Sequence, residues 1–276
     1  MSTGLFGDVE CSHWEKVMNK PIQGDGTVGK ALEILDAVAA FGRPVRFTEL
    51  LETSPYPKAT LYRFLQTLTN QKMLEHNEIT GNYSLGIRLL RLAHGAWNNA
   101  SLAPIARPFI EKLSAEVGET VHLAQLDNGQ VLFVDKLNAS DRFQTLAQIG
   151  QVAPAYCTGV GKAMLAFIAP KRLQIALQLQ SYFKYTPSTH TSVESLLLEL
   201  ETIRAEGIAF DREEHEIGIN SIAAPILSSN GRIIGALSIA TATSRFDINS
   251  LTQFREPVLE TATKIGEEAT SWQFPS

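Results

Sequence analysis

The apolar residues of this chain keep one spacing in its first part and a different one after Gly118. From Val28 onward Ala31, Leu32, Leu35, Val38 and Ala39 recur three and four residues apart, which lines one face of a helix. Past Gly118 the residues Val121, Leu123 and Gln125 alternate, and a period of two puts every second side chain on one face of a strand. No single periodic element satisfies both patterns. The 276 residues therefore read as two unlike domains, as a prior of about 150 residues per domain also suggests.

Hydrophobic residues make up 44% and charged residues 19%, which excludes a disordered tail, a fibre and a collagen. No apolar run approaches the roughly 18 residues that cross a bilayer. The opening MSTGLFGDVECSHWEK carries acids where a secretory signal has a basic flank and an apolar stretch, so a cytoplasmic chain without a membrane partner is expected. Cys11 and Cys157 are the two cysteines, too few for a disulfide framework. Residues 1–24 lack periodicity and read as a flexible arm.

Residues 25–86 read as a small helical domain. The helix from Val28 has Thr27 available as its cap and Gly42 just past its end. A short helix follows on Phe47, Leu50 and Leu51, stopped by Ser54-Pro55-Tyr56-Pro57. A third helix carries the stripe Leu61, Phe64, Leu65 and Leu68. The polar turn from His76 to Gly81, between the extended pieces Met73–Glu75 and Asn82–Leu85, reads as a hairpin. Together these make a winged helix-turn-helix, whose second motif helix would lie in the major groove of duplex DNA. Its inward stripe leaves Lys58, Thr60, Tyr62, Arg63 and Thr67 facing away as candidate DNA contacts. Arg63 suits guanine, Thr60 and Tyr62 suit thymine methyls or phosphates, and Lys58 sits where a phosphate meets a helix N-terminus.

Charge supports this placement locally. Residues 1–91 are neutral overall and residues 92–276 carry net −5, so a uniformly basic coat is excluded. Between Glu52 and Glu75, however, 22 residues contain no acid, and Lys58, Arg63 and Lys72 lie among them. A local cationic surface is what phosphate contact requires.

The second half reads as α+β. A hairpin turns at Asp127-Asn128-Gly129-Gln130. A second pairs Ser221–Leu227 with Ile233–Ala240 across Ser228-Ser229-Asn230-Gly231. Helical spacing runs over residues 87–100 as a linker, then over a helix burying Ile105, Phe109 and Leu113. It returns near Gly161–Ile168, Lys171–Leu179, Ser192–Glu206 and Ile248–Thr270. Antiparallel pairs interrupted by helices exclude a doubly wound parallel sheet.

The stretch PKATLYRFLQTL with NYSLG closing the wing resembles the DNA-binding domain of the IclR family of bacterial transcription regulators. The resemblance continues in order through CTGVGKAMLAF, IRAEGIAFDREEHEIGINSIAAPI and GRIIGALSIA, over roughly residues 25–270. It implies an N-terminal winged helix, a linker helix over 87–100 and a GAF-like or profilin-like effector domain over 101–276. It also implies a homo-oligomer, a dimer or a dimer of dimers, on a near-palindromic double-stranded operator.

In the second half, Thr158-Gly159-Val160-Gly161 reads as a capping threonine with two glycines opening a helix, an end that favours an anion. A nucleotide loop is excluded, because Tyr156 and Ala163 stand where the Walker pattern needs Gly and Ser or Thr. The run Asp211–Glu216 reads as a solvated loop with one or two inward groups. The resemblance makes Asp211 the member that looks into the effector cavity, with Ile219 and Ser221, and with Ser238 and Ala240 facing it from a strand. Thr158, Gly159 and Val160 complete the candidate set, and some relatives carry cysteine where Ser221 stands.

Cys157 with His215 or His190 could make a metal site, but a lone cysteine beside a capped helix reads as core filler; Cys11-Ser12-His13 offers two ligands, too few for zinc, and no G-x-S-x-G elbow occurs. No metal and no cofactor are expected. The reading is a ligand-responsive DNA-binding regulator, a repressor of a catabolic operon that answers to a small organic acid: a sugar acid, a short keto acid or an aromatic acid. The alternative is a small-acid hydrolase or lyase fused to a DNA-binding head. The stretch from Tyr182 to Thr189 is similar to one in relatives governing sugar-acid catabolism.

Overall fold

A computed structural model of the chain describes residues 26–138 and 145–269, so the arm expected over residues 1–24 lies outside the described residues. The chain divides into two compact units between Ala96 and Trp97.

In the first unit α1 (Gly26–Ala40) buries Ile34, Leu35 and Val38. It begins at Gly26, so Thr27 lies inside the first turn and not before it. A two-residue strand β1 (Val45–Arg46) leads directly into α2 (Phe47–Thr53). Glu49 organises that start: its carboxylate accepts the Arg46 N–H at 2.9 Å and holds the Arg43 guanidinium at 2.6 Å. After the proline-bounded turn comes α3 (Lys58–Asn70), with Leu61, Phe64, Leu65 and Leu68 buried as expected. The hairpin of β2 (Leu74–Asn77) and β3 (Asn82–Leu85) closes the unit, and β1 joins it in the order β1–β3–β2. Asn77 shapes the tip, its Oδ1 accepting the N–H groups of Ile79 and Thr80 at 3.0 Å. Gly86 ends the hairpin where a Cβ would come within 2.3 Å of the Lys72 carbonyl oxygen, so no side chain fits there.

The linker α4 (Ile87–Ala100) buries none of its residues fully. Among the described residues no helix is long and apolar enough to cross a membrane.

The second unit is built on one antiparallel sheet in the order β6–β5–β4–β9–β8–β7. Its strands are β4 (Thr120–Asp127), β5 (Gln130–Leu137), β6 (Val152–Ala153), β7 (Ala209–Arg212), β8 (Ile219–Leu227) and β9 (Ile233–Ala242). One face carries Val121, Leu123, Ile222, Leu237 and Ile239 against α5 (Ala103–Val117) and α10 (Arg255–Glu268). The other carries Ala124, Ala209, Ala223 and Ala236, small side chains that let α6 (Gly159–Phe167) approach closely. Behind α6 stands α8 (Val193–Glu206), and α7 (Pro170–Leu179) lies between them in sequence.

Three expectations change. In α5 the inward stripe is Ala103, Ala106, Ile110 and Leu113, while Ile105 and Phe109 are half-buried, because the alanines set the side that can press on the sheet. The C-terminal helix is not continuous from Ile248. A short α9 (Ile248–Leu251) and a tight turn at Thr252–Phe254 precede α10, and Pro257, with no N–H to donate, sits in the first turn of α10. The run Asp211–Glu216 has the two inward groups expected of it, but its start is a strand and not a loop. It begins in β7, which pairs with β8, so Asp211 and Glu214 are buried while Arg212 points out.

Candidate DNA-reading helix and ligand face

The exposed side of α3 carries Lys58, Ala59, Tyr62, Arg63, Gln66 and Thr67, and Thr60 lies half-buried at its margin. Among the described residues neither Lys58 nor Arg63 has a carboxylate within ion-pair distance, although Arg63 lies over the Phe64 ring. The Thr67 hydroxyl donates to the Arg63 carbonyl at 2.9 Å, which ties it to the helix backbone. Gln66, not singled out from the sequence, donates to the Tyr62 hydroxyl at 3.2 Å and shares the Arg63 face. The signal for it was its spacing, four residues after Tyr62 and three after Arg63, and its amide matches adenine in the major groove. Lys58, Ala59 and Tyr62 of α3 form one hollow with His76, Gly81 and Tyr83 of the hairpin, where His76 stacks on Tyr83 at 4.5 Å.

In the second unit the strand register gathers the candidates. Asp211 pairs with Ser221, Ser221 with Ala240, and Ala240 with Thr120, one row across β7, β8, β9 and β4. The adjoining row on the same face runs Ala209, Ala223, Ser238, His122 and Lys136, ending on β5. Ile219, two residues before Ser221 on β8, is half-buried. Thr120, His122 and Lys136 were not anticipated, because polar residues at alternate positions of a strand read as its solvent side.

Gly159 opens α6 against this face. A Cβ there would lie 2.7 Å from Ser221 Oγ and 3.6 Å from Asp211 Cβ, so the helix start rests on both residues. Gly161 has a similar reason, since its Cβ would meet the Ala155 backbone at 2.5 Å. Thr158 does not cap the helix. Its hydroxyl donates to the Pro154 carbonyl at 2.7 Å, leaving the first-turn N–H groups without a side-chain cap, and Val160 packs into the core.

Electrostatics divide the face. Lys162, 0% exposed, places Nζ 2.5 Å from Glu214 and 3.2 Å from Glu199, which also binds Arg212 at 2.8 Å. The Glu214 N–H donates to Asp211 Oδ1 at 2.8 Å. Burial, reinforced by the nearby Glu214 charge, pushes the Asp211 carboxyl up to about 7. Burial lowers His122 to about 3, so this imidazole is neutral, and it sits 2.9 Å from Thr145 Oγ1 and 3.4 Å from Ser238 Oγ. Burial also raises the Cys157 thiol and lowers His190. His190, Glu199 and Glu214 bring ligand atoms within 4.8 Å of one another, but the Lys162 ammonium already supplies the positive charge there.

The comparisons with known proteins cover both units. Residues 27–78 match the IclR helix-turn-helix domain and residues 94–267 match the family described as bacterial transcriptional regulator IclR, C-terminal. The HTH-type transcriptional regulator XynR of Escherichia coli is 31% identical over 83% of this chain and 91% of its own. Other E. coli relatives bear the names of repressors. The crystal structure of Thermotoga maritima IclR matches with a TM-score of 0.71 at 27% identity, over 88% of this chain and 98% of that one. An IclR homolog of Microbacterium hydrocarbonoxydans, complexed with 4-hydroxybenzoate, shares the fold with a TM-score of 0.76 at 24% identity, over 89% of this chain and 99% of that one. The relatives are transcription regulators, which leaves the hydrolase or lyase reading without support. Two matched domains in order, on a helix-turn-helix and an α+β sheet, make this chain a member of the IclR family of bacterial transcriptional regulators.

Proposed function

We propose that the chain is a cytoplasmic repressor of a catabolic operon, that it reads a near-palindromic operator as a homo-oligomer, and that a small organic acid sets its affinity for that operator. The observation that carries the ligand half is the row Asp211–Ser221–Ala240–Thr120 beside Ser238, a polar patch on the inner face of the sheet. Its groups are neutral hydroxyls and a carboxyl held high enough to keep a proton near neutrality, which suits hydrogen bonding to an oxygen-rich ligand. The start of α6 adds backbone donors at Gly159 and Val160. The relative holding 4-hydroxybenzoate supports a carboxylic acid as ligand class.

The DNA half rests on Lys58, Tyr62 and Arg63, exposed on α3, with Thr60 and Thr67 at the margin of the contact. Self-association is supported by exposed apolar residues on the first unit: Val28 and Leu32 on α1, Ile87 and Leu90 on α4. Two-fold pairing through such faces would match a near-palindrome. The acid must bind the two arrangements of the DNA heads with unequal affinity, a coupling of about 1–3 kcal/mol in typical regulators.

Catalysis by the same face is disfavoured by His122. It is the imidazole beside Ser238, and one lowered to about 3 by burial is too weak to activate that serine. The test is a titration of the protein–operator complex with sugar acids, short keto acids and aromatic carboxylates, read by fluorescence anisotropy. One class is expected to release or tighten the DNA without being consumed; multiple turnovers of the acid would overturn the reading.

A further inference from the structure

Two lysines are buried in the second unit, and they are compensated very differently. Lys162 has two carboxylates within 3.2 Å. Lys136, 9% exposed, has none within ion-pair distance among the described residues; its Nζ donates to the carbonyls of Ala147 at 2.7 Å and Thr145 at 3.4 Å. Glu216 lies near enough to act on it through space, yet its carboxylate accepts the Leu146 N–H at 3.1 Å. A largely buried ammonium that meets two peptide carbonyls, and no carboxylate within ion-pair distance among the described residues, is less fully compensated than Lys162.

Its surroundings are those of a binding surface. Lys136 ends the row that contains His122 and Ser238. His122, neutral, links Thr145 to Ser238. One row further, Thr120 Oγ1 is fully buried with no hydrogen-bond partner among the described residues. Asp211 stands at the other end of the face, four strands away, which at the usual spacing is about 19 Å along the sheet. An acid on this face meets a cation at the β5 end and a carboxyl at the β7 end.

We propose that Lys136 is the counter-ion for the carboxylate of the effector, with His122, Thr120 and Ser238 reading the hydroxyl or oxo groups next to it. This deepens the small-acid reading and rests on it. The carboxylate then points toward β5, away from Asp211, and not onto the Gly159–Val160 end of α6. The ligand class is a monocarboxylate with an adjacent oxygen substituent.

The experiment is calorimetric titration of the full chain with 4-hydroxybenzoate, pyruvate and gluconate, each beside its primary amide, for the wild type, Lys136→Met and Lys136→Arg. At least one acid is expected to bind the wild type ten-fold or more tightly than its amide. Lys136→Met should lose that preference, with acid affinity down ten-fold or more, while Lys136→Arg should keep it. A Lys136→Met protein that binds the acid within two-fold of wild type and still rejects the amide overturns the proposal and leaves the small-acid site standing, with its carboxylate elsewhere. If Lys136→Met does not fold, the wild-type ratio decides, and an acid bound no better than its amide overturns the proposal. A wild type that binds none of the acids overturns both the proposal and the reading beneath it.

Discussion

Lys162 places its ammonium 2.5 Å from the carboxylate of Glu214, and neither side chain is open to solvent. The pair holds the inner end of the acidic run, since the Glu214 N–H in turn anchors Asp211. Removing one partner of a buried pair costs about 3–5 kcal/mol, because it strands the other charge. Lys162→Met should lose stability on that scale in urea unfolding, and Lys162→Met with Glu214→Gln should regain part of it. A single variant as stable as wild type would contradict the pairing.

Asp211 should make stability depend on pH in an uncommon direction for a carboxylate. Its folded pKa is raised from 3.8 to about 7 by burial, with Glu214 adding to the rise and Lys162 and the Glu214 and His215 N–H groups opposing it. The folded state therefore holds the proton more tightly than the unfolded state. That contribution is fully present below about pH 4 and is lost as pH rises through about 7. Asp211→Asn should gain in melting temperature over wild type as pH climbs from 4 to 8. A constant difference across that range would mean that Asp211 ionises as it does in water.

Gly159 has no room for a side chain. Gly159→Ala drives a methyl toward Ser221 Oγ, and overpacking of this kind costs about 1–3 kcal/mol. Ser221→Ala in the same chain should restore part of the loss. Thermal unfolding of the single and double variants measures both, and additive losses would show that the two positions do not touch.

On α3, Arg63→Ala should weaken specific DNA binding by about 1–3 kcal/mol and relax preference at one base pair, as for a guanine contact. Lys58→Ala should weaken all duplexes alike and lower the salt slope by about 1, as for a phosphate contact. Gel-shift titrations at several salt concentrations separate the two. An Arg63→Ala protein with unchanged sequence preference would remove that residue from the reading set.

What could be seen in the sequence was what neighbouring residues specify. The stripe of α3 and the turns at Asp127–Gln130 and Ser228–Gly231 are local patterns, and the structure keeps them, whereas in α1 Leu35 and Val38 turn inward with Ile34, and Leu32 and Ala39 of the expected stripe are exposed. The strands β1, β6 and β7 are two to four residues long and exist because another strand pairs with them, and so short a stretch shows no local period. Asp211, Ser221, Ser238 and Ala240 were reached through the family resemblance, and the register then set them in adjoining rows. Lys136 and His122 needed the register itself. Thr158 was misread because a threonine before two glycines looks like a cap, whereas its hydroxyl turns back to Pro154.

Sequence-specific recognition of duplex DNA through α3 is read out by selecting bound duplexes from a randomised pool with the purified full chain and with Arg63→Ala. The wild type should enrich one near-palindromic sequence and hold it against random competitor at moderate ionic strength, and the variant should enrich it poorly or with a degenerate position. A wild-type pool that stays random after repeated rounds would show that α3 does not select a DNA sequence.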